Sequence, residues 1–217
     1  MAMALSLLAG FVAAITFASG QGDSEREKFA KSDCRMVRGM MNSVAARADE
    51  KYRTVEDKYA KMATPGKHHE YLKVFEGKWN TKATIYDISG KSKQAEAVST
   101  IKWILGNRFL TEDLDEKTSD FRGMGIIGYD NDKKKYFMVW VDTMGTGQFT
   151  SEGTSDNAGK TFTLKGEAKE LSEDGKITYT QTYRVESNDK ILYEMHVKND
   201  GNGKEYKAME IVYTRAK

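Results

Sequence analysis

The chain has 217 residues, with 34 Lys and Arg against 32 Asp and Glu, so its formal net charge is only +2. This balance argues against a nucleic-acid partner, because such proteins cluster basic residues on one face. The single cysteine, Cys34, excludes an internal disulfide framework and a multi-cysteine metal site, and the single proline excludes a proline-rich disordered tract.

Residues 1–20 carry no charged side chain, and Leu5 to Ala18 form an apolar run with the length of a signal-peptide core. The small residues Ala18, Ser19 and Gly20 then fit cleavage after Gly20. This segment predicts an exported protein, either periplasmic or secreted. Two alternatives stay open, an uncleaved membrane anchor and a buried apolar helix, because no Lys or Arg precedes the core.

Residues 21–64 predict one long amphipathic helix. Ser24 and Glu27 form a capping box at its start, and Pro65 with Gly66 is a stop signal. Between them an apolar stripe repeats at steps of three and four residues, at Val37, Met41, Val44, Ala48, Tyr52, Val55, Tyr59 and Met62.

Three partners for this apolar stripe are open. The helix could pack on the following domain, it could form a homodimer through residues 24–62 as a short coiled coil, or it could lie on a membrane surface. Mixed charge along the helix favours packing on protein. We expect a membrane contact only if the N-terminal segment is uncleaved.

Residues 65–217 form the third segment, a β-rich domain of short runs separated by turn signals. Many short strands without intervening helices indicate an antiparallel sandwich or barrel. The predicted strands are Trp79 to Asp87, Ala95 to Leu105, Arg108 to Asp115, Arg122 to Tyr129, Tyr136 to Thr143, Gln148 to Thr154, Thr161 to Ala168, Ile177 to Glu186, Ile191 to Lys198 and Tyr206 to Arg215.

The hairpin from Phe121 to Asp142 is the centre of this domain. Its first arm carries Gly123, Gly125 and Gly128, which mark a close backbone approach or a strong bend, as in a closing barrel. Its second arm, Tyr136 to Val141, is apolar on both faces. The outer face therefore needs a cover, and the long helix is the nearest candidate.

Several motifs of the β-rich domain carry a family resemblance. They are PGKHHEYLKVFEGKW from Pro65 to Trp79, LGNRF from Leu105 to Phe109, F-x-G-x-G-x-x-G-Y-D from Phe121 to Asp130, Trp140-Val141-Asp142, and Tyr213-Thr214-Arg215. With them, residues 65–215 resemble the bacterial family known as domain of unknown function 1579. The resemblance implies a lipocalin-like, or calycin, β-barrel, and it implies no activity.

The predicted fold class is therefore mainly β: an antiparallel closed barrel of about ten strands, preceded by a signal segment and one long N-terminal α-helix. Lipocalin-like barrels often carry G-x-W on the first strand and an arginine on the last. Here these are Gly77, Trp79 and Arg215, which we expect to close the barrel where its first and last strands meet.

Histidine-based sites have little support. His68 and His69 lie beside Glu70, but adjacent residues point apart on a regular element, so the two do not readily share a metal ion. His196 lies on the less apolar face of its strand, where a solvated histidine is expected rather than a haem ligand. We expect no metal and no cofactor.

Catalytic motifs do not occur in the chain: there is no nucleophile elbow, zinc-protease helix, phosphate-binding loop or dinucleotide fingerprint. A hydrolase-type enzyme is the second alternative function. It would need a converging acid and base, such as Asp142 with Glu112 or with Glu194.

We therefore expect an exported, non-catalytic barrel that binds a small apolar or amphipathic ligand. The first alternative is a structural, oligomerising protein whose barrel is filled by its own side chains. The expected ligand-binding residues are mostly aromatic: Trp79, Arg108, Phe109, Trp140, Asp142, Tyr179, Tyr183 and Tyr213.

Overall fold

The computed structural model describes residues 23–169, 176–199 and 203–217. The predicted export signal lies outside these residues, and so do the side chains of Ser24 and Glu27 in the predicted capping box. The chain divides into two compact units, of which the first ends at Glu56 and the second runs from Asp57 to Lys217.

Helix α1, Asp23–Ala63, confirms the long helix that the sequence predicts. It ends just before Pro65, whose ring cannot continue a helix. The described side chains of the apolar stripe are 42–70% exposed: Val37, Met41, Val44, Tyr52, Val55, Tyr59 and Met62. Among the described helices, none combines the length and the apolarity that a membrane crossing requires.

Ten antiparallel strands close into a barrel, which confirms the predicted antiparallel closed barrel of about ten strands. Each strand pairs with the next along the chain, and β10 pairs with β1 to complete the ring. The strands are β1 Gly77–Tyr86, β2 Ser92–Ile104, β3 Phe109–Glu116, β4 Arg122–Asp130, β5 Lys135–Asp142, β6 Phe149–Ser155, β7 Thr161–Lys169, β8 Lys176–Ser187, β9 Lys190–Asn199 and β10 Glu205–Arg215.

A short helical segment covers one end of the barrel. Helix α2, Lys67–Tyr71, leads into a 3-10 helix, Leu72–Phe75, and from there into β1. Leu72 and Phe75 are 1% and 5% exposed and belong to the main hydrophobic core. Side chains therefore fill this half of the barrel, which we call the closed end.

The glycines of the β4–β5 hairpin make room for aromatic rings. A Cβ at Gly123 would overlap the indole of Trp140, which lies inside the barrel. On the outer face, Gly128 separates Phe109 from Phe137, and these two rings contact each other with centroids 6.0 Å apart. The neighbouring strand β3 thus covers part of the apolar outer face of β5 through Phe109.

Candidate functional site

The barrel contains a cavity of about 780 Å³ at the end opposite the closed end. Its mouth is formed by the loops that follow β3 and β5, including Phe121 and Met144. This volume lies within the range of about 300–1,000 Å³ that is usual for small-molecule sites. The cavity can therefore hold one small molecule.

The wall of the cavity is mainly apolar and aromatic because the strands alternate their side chains between the inside and the outside of the barrel. On β9, for example, Tyr193, Met195 and Val197 face the cavity. A few polar side chains interrupt this surface, among them Glu112 and Gln181, and both are buried.

Five of the eight expected ligand-binding residues line the cavity: Trp140, Asp142, Tyr179, Tyr183 and Tyr213. Trp79 does not line it, because its fully buried ring lies in the core of the closed end and its Nε1 donates to the Phe75 carbonyl at 2.8 Å.

Arg108 and Phe109 also lie away from the cavity. Arg108 serves the turn between β2 and β3, where its Nη1 donates to the Leu105 carbonyl at 3.0 Å. Leu105 and Asn107 both adopt positive φ values, 50° and 61°, so this turn is tight and gains from such a bond. Phe109 faces outward against Phe137. The motif that contains both residues thus builds a turn.

Arg215 and Trp79 meet where the barrel closes. They are register partners of β10 and β1, and the Arg215 guanidinium carbon lies 4.2 Å from the centre of the indole. The same guanidinium donates to the carbonyls of Glu76, Val74 and Asn188 at 2.8, 3.2 and 2.8 Å. The guanidinium that these bonds hold in place occupies the space beside Gly77. A Cβ added at Gly77 would lie 2.5 Å from Arg215 Nη1, so a larger residue does not fit there.

Glu112 lines the cavity but is absent from the sequence-based list of ligand contacts, as are Gln181 and Tyr193. It is 2% exposed, and its Oε1 accepts hydrogen bonds from Ser99 Oγ at 2.7 Å and from Tyr213 OH at 3.3 Å. Burial raises the pKa of its carboxyl group, and these two hydrogen bonds only partly oppose that effect. In the sequence, its position midway between Leu110 and Leu114 indicates that its side chain faces the inside of the barrel, as theirs do.

Other polar groups of the wall satisfy one another. Ser151 Oγ donates to Gln181 Oε1 at 2.6 Å, and Gln181 Nε2 donates to Tyr193 OH at 3.0 Å. Burial raises the pKa of the Tyr193, Tyr183 and Tyr213 hydroxyl groups, so these tyrosines stay protonated at neutral pH.

The structure separates one of the two acid–base pairs considered for an enzyme. Asp142 lies at the cavity mouth, where it accepts hydrogen bonds from Trp140 Nε1 and the Met144 amide, both at 2.9 Å. Glu194 lies outside the barrel, bonded to Arg184 and Lys207. Glu112 does face the cavity with Asp142, although both carboxyl groups are already engaged in hydrogen bonds.

The histidines occupy structural positions among the described residues. His68 stacks on Tyr129 with ring centroids 4.3 Å apart, and His69 Nδ1 accepts a hydrogen bond from the Gly66 amide at 3.1 Å. The side chain of His196 is 42% exposed and lies 3.8 Å from Glu205. No cluster of three or more metal-binding side chains occurs in the part of the chain that the structure describes.

Comparisons with known proteins place the chain in a family. No curated protein matches it significantly. Among solved structures, an S-type phycobiliprotein lyase from Guillardia theta has 10% identity and a TM-score of 0.47, over 68% of this chain and 92% of that chain. A protein of unknown function from the DUF3598 family of Nostoc punctiforme has 7% identity and a TM-score of 0.23, over 70% of this chain and 100% of that chain. The family model described as "Protein of unknown function (DUF1579)" matches residues 64–215, and the chain therefore belongs to that family.

Proposed function

We propose that this protein binds one small apolar or amphipathic molecule inside its barrel and performs no chemistry on it. The observation that carries the proposal is the cavity of about 780 Å³ with its mainly apolar and aromatic wall. Transferring an apolar ligand from water to such a wall contributes about 25 cal/mol per Å² of buried apolar surface.

The two alternatives have less support. A barrel filled by its own side chains fits the closed end, but the other half contains enough space for a ligand. A hydrolase-type enzyme would depend on Glu112 and Asp142, because Glu194 faces the outside. Glu112 does accept a hydrogen bond from Ser99 Oγ, but Ser99 is fully buried and does not line the cavity, so its hydroxyl group does not face a ligand there. Asp142 is bonded to Trp140 and to the Met144 amide instead.

Native mass spectrometry of the freshly purified protein, followed by titration with the neutral dye Nile red, tests ligand binding. We expect either a retained small molecule or dye binding with blue-shifted emission. The change Ala83→Phe fills the cavity wall from β1 and should weaken dye binding. The matched change Thr84→Phe adds the same ring to the next residue, which does not line the cavity, and should leave binding unchanged.

The opposite result would favour the structural alternative. If the protein carries no molecule, and if Nile red binds neither to the wild type nor to Thr84→Phe, the barrel does not serve as a binding site. Equal dye binding by Ala83→Phe and the wild type would place the dye outside the barrel.

We also propose that the protein is exported to the periplasm or secreted. The support is the uncharged apolar core within residues 1–20, followed by small residues suited to cleavage. Intact-mass measurement of the protein from its native host tests this proposal. A mature chain that begins at Gln21 is expected, whereas a cytoplasmic product that retains Met1 would contradict it.

For the apolar stripe of α1 we propose a second copy of this chain as the partner. The stripe repeats at steps of three and four residues, close to the spacing of a helix pair, and its described side chains are exposed. Sedimentation velocity should show a dimer that Val44→Lys disrupts. Asn42→Lys adds the same charge away from the stripe and should leave the dimer intact; a monomeric wild type would contradict the proposal.

A further inference from the structure

Hydrogen-bond donors of the cavity wall are mostly engaged within the protein. Ser99 and Tyr213 donate to Glu112 Oε1, as described above. Other engaged donors of the wall are Thr81 to the Ala97 carbonyl, Ser119 to Glu116, Tyr179 to the Thr150 carbonyl, Tyr183 to Met138 Sδ, Trp140 to Asp142, and Gln181 to Tyr193. Ser151, which does not line the cavity, donates to Gln181. Most hydrogen-bond donors of the described wall are therefore already used within the protein, while the Tyr193 hydroxyl hydrogen and the Lys93 ammonium group remain as donors.

Glu112 provides the acceptor at the greatest depth. Both of its hydrogen bonds reach Oε1, and Oε2 has no hydrogen-bond partner among the described residues. Yet the described side chains include no buried polar atom without a partner. Glu112 lines both the main cavity and a void of about 10 Å³ on the side of the closed end, so Oε2 borders open space at the boundary between the two.

Most of the ionisable side chains in the described cavity wall are carboxyl groups, like that of Glu112. Among the described residues, four with carboxyl groups line it, namely Glu112, Glu116, Asp120 and Asp142, against one ammonium group, that of Lys93. A concave surface with low-dielectric walls concentrates this negative potential and attracts cations. Burial also raises the pKa of Glu112, so a basic ligand is well suited to take its proton.

We infer that the ligand of this cavity is an amphipathic amine, and that Oε2 of Glu112 accepts a hydrogen bond from its nitrogen. The inference rests on the proposed ligand-binding function. The apolar body of the amine packs on the aromatic wall, and its N–H group donates to the oxygen of Glu112 that no described residue engages. A charge-assisted bond of this kind is stronger in a water-poor cavity than in solution. A fatty acid would instead bring a further carboxylate into a cavity that is also lined by Glu116, Asp120 and Asp142, which like-charge repulsion disfavours.

Three ligands with the same chain length test this inference on the full-length protein: decylamine, decanol and decanoate. Their affinities are measured by displacement of Nile red and by calorimetry below their micelle concentrations. We expect decylamine to bind about tenfold or more tightly than decanol, the usual size of a charge-assisted hydrogen bond. Decanoate should bind most weakly. The preference for the amine should persist in high salt, because a buried pair is screened less than charges at the mouth.

Glu112→Gln keeps the size of the side chain and an oxygen for Ser99 and Tyr213, but it removes the charge. We expect it to abolish the preference for decylamine while decanol binds as before. Asp113→Asn removes one negative charge from the next residue of β3, which faces outward and is exposed, and it should retain the preference.

Each outcome decides the inference. If decanol and the dye bind but decylamine has no advantage, or if Glu112→Gln retains that advantage, the amine inference is wrong while the binding function stands. If none of the three ligands and no dye binds, the proposed function fails as well. The comparison of ligands on the wild type is decisive even if the variant does not fold.

Discussion

Arg215 illustrates how one side chain can connect distant parts of the chain. Its guanidinium stacks on Trp79 of β1 and bonds to carbonyls of the 3-10 helix and of the β8–β9 turn. A functional interpretation would assign it to anion binding. Its donors, however, point at carbonyl groups of the closed end, and its side chain is only 30% exposed. These contacts support a role in closing the barrel.

A double-mutant cycle tests this role. We expect Arg215→Ala to lower the free energy of unfolding by about 2–4 kcal/mol and Trp79→Ala by about 3–5 kcal/mol. The double variant should lose less than the sum, because the two side chains contact each other. Urea unfolding followed by circular dichroism provides the measurement.

Arg184→Ala is the matched control for the cycle. It breaks a pair with Glu194 in which the arginine side chain is 47% exposed, so its cost should stay below about 1 kcal/mol. Strict additivity of the Arg215 and Trp79 losses would contradict the closure role. So would an Arg215→Ala variant that is as stable as the wild type but binds no ligand.

Glu112 should make the stability of the barrel depend on pH. Burial raises the pKa of this carboxyl group in the folded chain above its unfolded value, so the folded state holds the proton to higher pH. In that window the folded state binds more protons than the unfolded state. The free energy of unfolding therefore falls as pH rises from about 4 toward the folded pKa.

Glu112→Gln removes this dependence. We expect the variant to gain stability relative to the wild type as pH is raised from about 4 to neutral, since no charge is then forced into the barrel. Thermal unfolding at a series of pH values measures the difference. Parallel pH profiles for the two proteins would mean that burial does not perturb this carboxyl group. A gain in stability joined to a loss of amine binding would indicate that the buried carboxyl is retained for the ligand.

At the scale of elements, the β4–β5 hairpin shows how glycine shapes the cavity. Gly123 and Gly125 lie opposite Asp142 and Trp140 in the register, and the indole occupies the space above them. A side chain at Gly123 would push the Trp140 ring toward the ligand space. The hairpin thus contributes both the wall of the cavity and the room for its largest side chain.

Gly123→Ala tests this packing. We expect a loss of about 1–3 kcal/mol, which is typical of overpacking, together with a shift in the fluorescence of Trp140. Gly147→Ala is the control, because nothing lies within 4 Å of an added Cβ there and the backbone is not in the left-handed region. Equal effects of the two changes would show that the Gly123 contact is relieved without cost.

Period-two alternation and turn residues explain why the strands could be predicted from the sequence. Each predicted strand overlaps an observed one, because alternation fixes which side chains face inward. The same pattern places Glu112 inside, between Leu110 and Leu114, but it does not reveal which of its oxygen atoms stays free. Arg108 and Phe109 are harder to place because a tight turn reverses the chain beside them, and the local sequence does not fix the direction of their side chains.

At the scale of the whole molecule, closure of the ring is a nonlocal property. Strand β1 pairs with β10, so Trp79 meets Arg215 across almost the full length of the domain. The predicted closure followed from family resemblance, since no local pattern specifies such a pair. The depth of the cavity is nonlocal as well, because it depends on which residues of ten strands meet at one level.

The barrel should fold without helix α1, because its core lies entirely within the strands and the segment from Leu72 onward. The described hydrogen bonds between the end of this helix and the barrel are exposed: Asn131 Nδ2 donates to the carbonyls of Lys61 and Met62 at 3.4 and 2.9 Å, and to that of Thr64, just after the helix, at 2.9 Å. We therefore expect a fragment of residues 65–217 to melt cooperatively, as a single two-state transition.

A second fragment, residues 57–217, tests whether the end of the helix contributes to the stability of the barrel. It restores the carbonyl partners of Asn131 and should be more stable by no more than about 1 kcal/mol, the usual size of one net hydrogen bond. If residues 65–217 are insoluble or molten while residues 57–217 fold, the end of the helix is part of the barrel fold. If both fragments fail and the full chain folds, the barrel needs more of α1. Nile red binding by a folded fragment would in addition show that the cavity forms without the helix.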